Sequence, residues 1–460
     1  MLLNFRVSNY RSFREEVSIS FVATRLDKGF GVPTAVAADG SAVDVLPVVA
    51  ILGANASGKS NLLRAMEYMR TMVLTSASRP RFAELEADPF VLDGTSRNAP
   101  TLMELDFVLD GSRYVYGFEQ KQGRFTDEWL HTYPHKRSQN LFDRENTDEF
   151  QFGKNLGGQN RVIAEITRSQ VLFLSAAAQA GHPLLSKIYD FFVRNLVMLD
   201  VPGRSRTSPS MIRRLTERRG QAVQLLALAD LGILDARIDD SNISDERRAQ
   251  VRQMIEKSID EEELPEDEKS KRVDEILARF FESQEPNVEL VHKAVKGGTS
   301  LPFEEESLGT KSWLSFVSYA LDALEHGGVL LVDELDASLH PLLIAEALQL
   351  FQSPRTNRHG AQLVFTTHDV TLLSNSLERL SLSRGQVWLV EKSEHGASTL
   401  TPLSDYRPRK GEDLARGYLQ GRYGGTPRIL PADAGDVVVG NERRVAANSR
   451  RALENERRRG

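Results

Sequence analysis

An unbroken apolar run, Val48-Val49-Ala50-Ile51-Leu52, leads straight into Gly53-Ala54-Asn55-Ala56-Ser57-Gly58-Lys59-Ser60. Apolar residues at every position mark a strand buried on both faces, the kind found in parallel sheets covered by helices. Past Ser60, Leu62, Leu63, Met66 and Met69 recur on one face of a helix. Two glycines four residues apart, followed by Lys-Ser, form the P-loop pattern, here between a buried strand and an amphipathic helix. The glycines let successive N–H groups turn inward toward phosphate oxygens, and the helix beginning near Lys59 adds its positive end. Lys59 is placed to neutralise β- and γ-phosphates, and Ser60 to bind Mg²⁺ through its hydroxyl. Asn55, Ser57, Gly58 and Asn61 complete the candidate phosphate-binding set with Gly53.

A second apolar strand, Val329-Leu330-Leu331-Val332, delivers Asp333 and Glu334 at its C-terminal end, where open α/β sheets place ligands. Asp333 is a candidate for holding Mg²⁺ through its second coordination shell, and Glu334 for polarising a water in line with a γ-phosphate. The alternative is an acidic cap on the next helix. Leu335-Asp336-Ala337-Ser338 follows, and Pro341 fits a first helical turn. Gln362 to Phe365 and Val387 to Val390 read as further buried strands, the former ending in Thr366-Thr367-His368-Asp369. His368 thus falls where a γ-phosphate would lie. Ser307 and Gly309 precede a helix with a stripe of Trp313, Phe316, Val317, Ala320, Leu321 and Leu324. Alone, Ser307 reads as an ordinary N-cap; a second anion site is the other reading.

The nucleotide-type core is therefore split across the 460 residues. Between its halves, Leu102–Phe107 and Tyr114–Phe118 flank Asp110-Gly111, a hairpin signature, and predict an antiparallel β subdomain reaching to about residue 175. At the N-terminus, Phe5 and Val7, then Val17, Ile19 and Phe21, predict two half-buried strands. The expected organisation is 1–175 as the first half of the core, 176–300 as a mainly helical insertion, 301–430 as the second half, and 431–460 as a charged tail. Arg204, Arg206, Arg213, Arg214, Arg218 and Arg219 form a basic block in the insertion, and Asp260 to Glu268 an acidic one. A solvated helical face and a basic surface for nucleic acid both remain open for that block.

Composition excludes several chemistries. With no cysteine there is no disulfide framework, thiol nucleophile or Cys-bound metal. A balance of 58 basic to 64 acidic side chains, net −6, argues against a generally basic nucleic-acid coat. No apolar run approaches the roughly 18 residues of a membrane span, and Asn and Arg interrupt the N-terminus too early for a secretory leader. A cytoplasmic protein without membrane contact is the expectation.

Taken in order, these motifs resemble the ABC-type ATPases, specifically the SMC/RecF/OLD-like heads found outside transporters. The resemblance aligns the P-loop at Gly53–Ser60, a signature at Ser307–Lys311, a Walker B strand at Val329–Glu334, a D-loop at Leu335–Ser338 and a switch histidine at His368. It implies an α/β fold with a mixed or parallel core sheet, an antiparallel β subdomain and a helical insertion. It also implies ATP and Mg²⁺ as cofactors and a homodimer or higher homo-oligomer with ATP sandwiched between copies. Ser307, Gly309, Asp336 and Ser338 would then act across that interface, and Lys59, Glu334 and His368 would be catalytic. Two departures stand out. The signature reads Ser-Leu-Gly-Thr, and no convincing Q-loop glutamine lies between 75 and 120.

More narrowly, Pro89–Asp93, Tyr114–Phe118 with Glu128-Trp129-Leu130, and Gly411–Gly424 resemble stand-alone OLD-like AAA-family ATPases. These include RloA-like proteins and the ATPase subunit of PARIS-type anti-phage systems. The OLD nucleases carry a Toprim domain with an Asp-x-Asp pair, and none follows His368 here. The resemblance implies an ATPase sensor or scaffold controlling a separate effector, a Toprim-type or other nuclease, with a nucleic acid or phage protein as trigger. The alternatives are a RecF- or SMC-like DNA-binding ATPase and, less well matched, a transporter subunit.

Overall fold

The computed structural model describes residues 1–33, 43–80, 87–134, 137–199, 209–229, 232–239, 252–255, 273, 287–294, 297–374, 382–407 and 412–426. Arg204, Arg206, the acidic run Asp260–Glu268 and the 431–460 tail lie outside them.

In chain order the strands are β1 (Leu2–Ser8), β2 (Val17–Ser20), β3 (Val32–Pro33), β4 (Asp44–Val45), β5 (Val48–Gly53), β6 (Thr101–Leu109), β7 (Ser112–Lys121), β8 (Arg124–Thr132), β9 (Gln139–Glu145) and β10 (Glu149–Phe152). They continue with β11 (Leu196–Leu199), β12 (Ile233–Asp239), β13 (Asn287–Lys293), β14 (Gly298–Pro302), β15 (Val329–Val332), β16 (Gln362–Thr367), β17 (Val387–Lys392) and β18 (Ser398–Pro402). Helices that matter below are α1 (Lys59–Thr75), α2 (Asn160–Ile166), α3 (Phe173–Gln179), α4 (Pro183–Arg194), α5 (Pro209–Glu217) and α6 (Arg219–Leu228). The last three are α7 (Leu308–His326), α8 (Pro341–Gln352) and α9 (Leu414–Leu419).

The fold is mixed α/β, with two principal sheets. The core sheet has the order β11-β15-β16-β5-β17-β18, parallel except for the β17–β18 pair. Every residue of β5, β15 and β16 is buried, as continuous apolar runs demand. The second sheet, β10-β9-β8-β7-β6-β1-β2, is antiparallel throughout. Its β6–β7 hairpin turns at Asp110 and Gly111, both with positive φ, as a two-residue primed turn requires. Helices α1, α3 and α4 fill the space between the sheets, and Leu62, Leu63, Met66 and Met69 of α1 are fully buried there. Each such side chain contributes roughly 1.5–3 kcal/mol by leaving water.

Two boundaries differ from expectation. The antiparallel strands stop at Phe152, and α2 and α3 carry the chain to 179. Within the stretch expected to be mainly helical, Leu196–Leu199 forms the edge strand of the core sheet, paired in parallel with β15. Ile233–Asp239, Asn287–Lys293 and Gly298–Pro302 form a third, antiparallel sheet, β12-β13-β14. Four-residue apolar runs such as Leu-Val-Met-Leu carry no periodicity of their own, so their pairing partner decides their state. Among the described residues no helix is long and apolar enough to cross a membrane.

Candidate functional site

The parallel strands all point their C-terminal ends to one side, and that edge gathers the candidate residues. The turn after β5 places Ala56 at φ 61 and Gly58 at φ 112 before α1 begins. A Cβ on Gly58 would overlap the hydroxyls of Ser398 and Ser12, so this position requires glycine for space as well as for φ. Ser398 Oγ donates to Ser57 O at 2.5 Å, and Asn61 Nδ2 donates to Ser12 Oγ at 2.8 Å. The loop is thus anchored from below by β18 and by the turn after β1.

Lys59 is buried and folds back over the loop, donating to Gly53 O at 2.8 Å and Ala54 O at 3.0 Å. Burial lowers its ammonium to about 8, against the pull of Glu334, Asp336 and Asp333. Ser60 Oγ donates to Asp333 Oδ1 at 2.8 Å. The two candidate Mg²⁺ ligands, 273 residues apart, are therefore in contact. His368 Nδ1 lies 3.4 Å from Lys59 Nζ, and its backbone N–H donates to Asp336 Oδ2 at 3.1 Å. Glu334 sits at φ 53 beside the buried Asp333.

A cavity of about 790 Å³ opens over this edge, lined by Gly53–Ser57, His368 and Val370 on one side and by β17 and the α9 segment on the other. Ser57 Oγ and Asp336 Oδ1 are buried without hydrogen-bond partners. The orphaned Ser57 hydroxyl, on the loop that Lys59 folds over, can donate to a phosphate oxygen, whereas Asp336 Oδ1, an acceptor, needs a donor such as water. One hydroxyl and one carboxylate in contact suit Mg²⁺, which takes one or two protein ligands and completes its shell with phosphate and water.

Ser307 and Gly309 are not at this cavity. Ser307 caps α7, accepting from Thr310 N at 3.1 Å, and is exposed. Gly309 packs against the other end of the Asp336–Ser338 turn, where a Cβ would stand 2.9 Å from Ser338 O. Ser338 itself adopts φ 69. Ser307, Gly309 and Ser338 thus lie outside the cavity, whereas Asp336, at the near end of that turn, faces His368 and Lys59.

A family model described as "AAA domain, putative AbiEii toxin, Type IV TA system" matches residues 48–374, from the P-loop strand through His368. That is more than two thirds of the chain. The chain belongs to this AAA family. No curated protein matches it. Among solved structures, an Smc head bound to the C-terminal winged-helix domain of ScpA matches at 13% identity and TM-score 0.40, over 88% of this chain and 99% of that one. An Smc head with an extended coiled coil, bound to the C-terminal domain of ScpA and derived from Pyrococcus furiosus, matches at 15% identity and TM-score 0.38, covering 88% and 97%. A third, the Smc head with coiled coil and joint from Pyrococcus yayanosii, gives 12% and 0.34, covering 92% and 99%.

The chain also contains site residues, inside and outside the matched AAA domain, that sequence reading did not single out. Thr366 Oγ1 donates to Asp333 Oδ1 and accepts from Glu334 N, each at 2.7 Å. Ser12 and Ser398 brace the P-loop, and Asn9, at φ 50, holds the Ser96–Pro100 segment through its amide. A polar residue inside the apolar run ending β16 was the available signal for Thr366. For Ser12 and Ser398 there was none, because their role depends on contacts across the fold.

Proposed function

We propose that this AAA domain binds ATP with Mg²⁺ at the P-loop, hydrolyses it, and uses the cycle to open and close an assembly of two or more copies. The observation that carries this is the convergence of Lys59, Ser60, Asp333, Glu334 and His368 on one edge of the core sheet. In this reading the backbone of Gly53–Lys59 cradles the phosphates, and Lys59 exchanges its two carbonyl partners for phosphate oxygens. Ser60 and Asp333 would hold Mg²⁺, which would supply positive charge against the negative charge developing on the phosphates. Glu334 orients and polarises the attacking water, and His368 donates toward the γ-phosphate oxygens. Ser307 and Gly309, which do not line the cavity of their own P-loop, would complete the site of a second copy, with Ser338 beside Gly309.

The finer reading is an ATP-driven sensor or scaffold in bacterial anti-phage defence that holds and releases a separate effector, a nuclease being the favoured kind. Its support is the family description, which links such domains to a toxin system, and the resemblance of the motifs to OLD-like defence ATPases. The rival reading, direct DNA binding by the arginine block, loses ground to the ion pairs there. Arg214 reaches Asp322 at 3.0 Å, Arg219 reaches Asp235 at 2.6 Å, Arg213 lies 3.9 Å from Glu217, and Arg218 pairs with Glu325. Each of these four arginines already has an acidic partner, with which a phosphate backbone would have to compete.

The test is steady-state ATP turnover of the purified chain beside Glu334→Gln, with mass measured with and without ATP. Turnover by the wild type, and an ATP-dependent larger species trapped by the variant, are expected. Equal turnover in both would overturn the assignment. For the finer reading, affinity capture from the native host should recover an effector encoded beside this chain. Salt-sensitive DNA binding lost on replacing Arg213, Arg214, Arg218 and Arg219 with alanine would favour the rival.

A further inference from the structure

The turn leading into α7 is tied to the hairpin before it and to the helix after it. Hairpin β13–β14 runs through a 3₁₀ turn, Phe303–Glu305, directly into Glu306 and Ser307. His292, on β13, reaches back across that turn, with Nε2 2.5 Å from Glu306 Oε1. A carboxylate offers only acceptors, so this ring nitrogen carries the proton. The Glu306 side chain is 5% exposed and has little water to replace the imidazole. Ser307 comes next, extended at φ −62 and ψ 152, and its capping bond from Thr310 N sets where the helix starts. Lys311 Nζ closes the same turn from the helix side, donating to Glu304 O at 2.7 Å.

Farther along, Trp313 Nε1 donates to Leu225 O of α6 at 3.2 Å, and Arg214 of α5 holds Asp322. Leu290, Phe303, Trp313 and Phe316 share one apolar core. Elements α5, α6, β12, β13, β14 and α7 therefore form one packed body with Ser307 at its exposed tip. Packed interiors transmit displacement instead of absorbing it.

We propose that His292 is a positioning residue for Ser307, acting through Glu306, and that the packed body of α5, α6 and β12–β14 thereby governs how Ser307 meets the nucleotide held by a second copy of this chain. This rests on the reading that Ser307 works across an interface. Without its imidazole donor, the Glu306 carboxylate turns toward solvent and carries the adjoining Ser307 backbone with it. The helix survives, held by Trp313 and Arg214, but its first turn is misplaced. Binding of nucleotide by the P-loop of the same chain is unaffected, since no residue of that loop is involved.

The experiment uses the full chain with His292→Leu, His292→Gln, Glu306→Ala and Ser307→Ala. Three quantities are read: ATP turnover, affinity for a labelled ATP analogue, and ATP-induced association in a Glu334→Gln background. We expect His292→Leu and Glu306→Ala to lower turnover and association about ten- to a hundredfold at unchanged affinity, the scale of a misplacement near 1 Å. His292→Gln, whose amide also donates, should recover most of both. Wild-type turnover in His292→Leu beside an impaired Ser307→Ala would overturn the link and leave the interface reading standing. Full turnover in Ser307→Ala would overturn the reading and the link together. A parallel loss of nucleotide affinity in His292→Leu and Glu306→Ala would also overturn the proposal, because it would show a general loss of structure.

Discussion

Thr366 holds Asp333 through a 2.7 Å hydrogen bond from its Oγ1, while the same oxygen accepts from Glu334 N. One fully buried hydroxyl thus orients the Asp333 carboxylate toward Ser60 and pins the backbone of Glu334 in its left-handed conformation. Such a conformation costs on the order of 1–3 kcal/mol and persists only where neighbours over-determine it. The Leu335 N–H, donating to Thr366 O at 3.0 Å, completes the clamp.

Thr366→Val keeps the shape of the side chain and removes the hydroxyl. Turnover is expected to fall about ten- to a hundredfold, while ATP affinity measured without Mg²⁺ stays at the wild-type value. Two buried groups also lose a partner, costing roughly 1–3 kcal/mol each in a urea titration. Thr366→Ser, which restores the oxygen, should return turnover close to wild type.

Glu334→Gln is expected to bind ATP normally and to turn over about a hundredfold or more slowly, the scale of losing a general base. Rapid-quench measurement of phosphate release, at saturating ATP, checks the chemical step apart from binding.

Lys59 gives ATP binding a pH dependence. Burial lowers its ammonium to about 8 in the free protein, and phosphate beside it would raise that value by favouring the charged form. Protonated Lys59 is the binding form. Affinity should therefore be level below about pH 8 and weaken as pH rises above it, by up to about tenfold per unit. Isothermal titration between pH 6.5 and pH 9.5, ranges chosen to bracket about 8, reads this directly. Lys59→Ala should bind too weakly to titrate at any pH.

Gly58→Ala places a methyl group against the Ser398 and Ser12 hydroxyls at a φ of 112. The expected result is loss of ATP affinity together with about 1–3 kcal/mol of stability, followed by thermal melting with and without nucleotide. Ser398→Gly combined with Gly58→Ala should recover part of the stability and little of the affinity, because the strain in φ remains.

Arg144 and Glu128 form a fully buried pair 3.8 Å apart in the antiparallel sheet. Glu128 also accepts from the N–H groups of Phe173 and Leu174, fastening α3 to the sheet, and Arg144 donates to Val171 O at 2.8 Å. Burial pushes the Glu128 carboxyl up, with Arg144 opposing it. Arg144→Met strands that carboxylate and should cost about 3–5 kcal/mol in a denaturant titration. Any protein that remains folded should still bind ATP, since the pair is remote from the P-loop.

What the amino-acid order determined by itself was local chemistry. Gly53–Ser60 reads as a candidate phosphate loop, the runs Val48–Leu52, Val329–Val332 and Gln362–Phe365 as buried strands, and Asp110-Gly111 as a hairpin turn. Each is a statement about a few adjacent residues, where periodicity and backbone freedom suffice. Tertiary structure alone decided which distant groups meet. It brought Ser60 to Asp333, set Thr366 beneath both acids and put Leu196–Leu199 at the sheet edge. It also paired Arg214, Arg218 and Arg219 with acidic partners and made Ser307 the cap of α7. A hydroxyl, a four-residue apolar run or an arginine has no assigned partner until packing supplies one. The Gly53–Ser60 loop was therefore legible from the start, and the groups that brace and complete it were not.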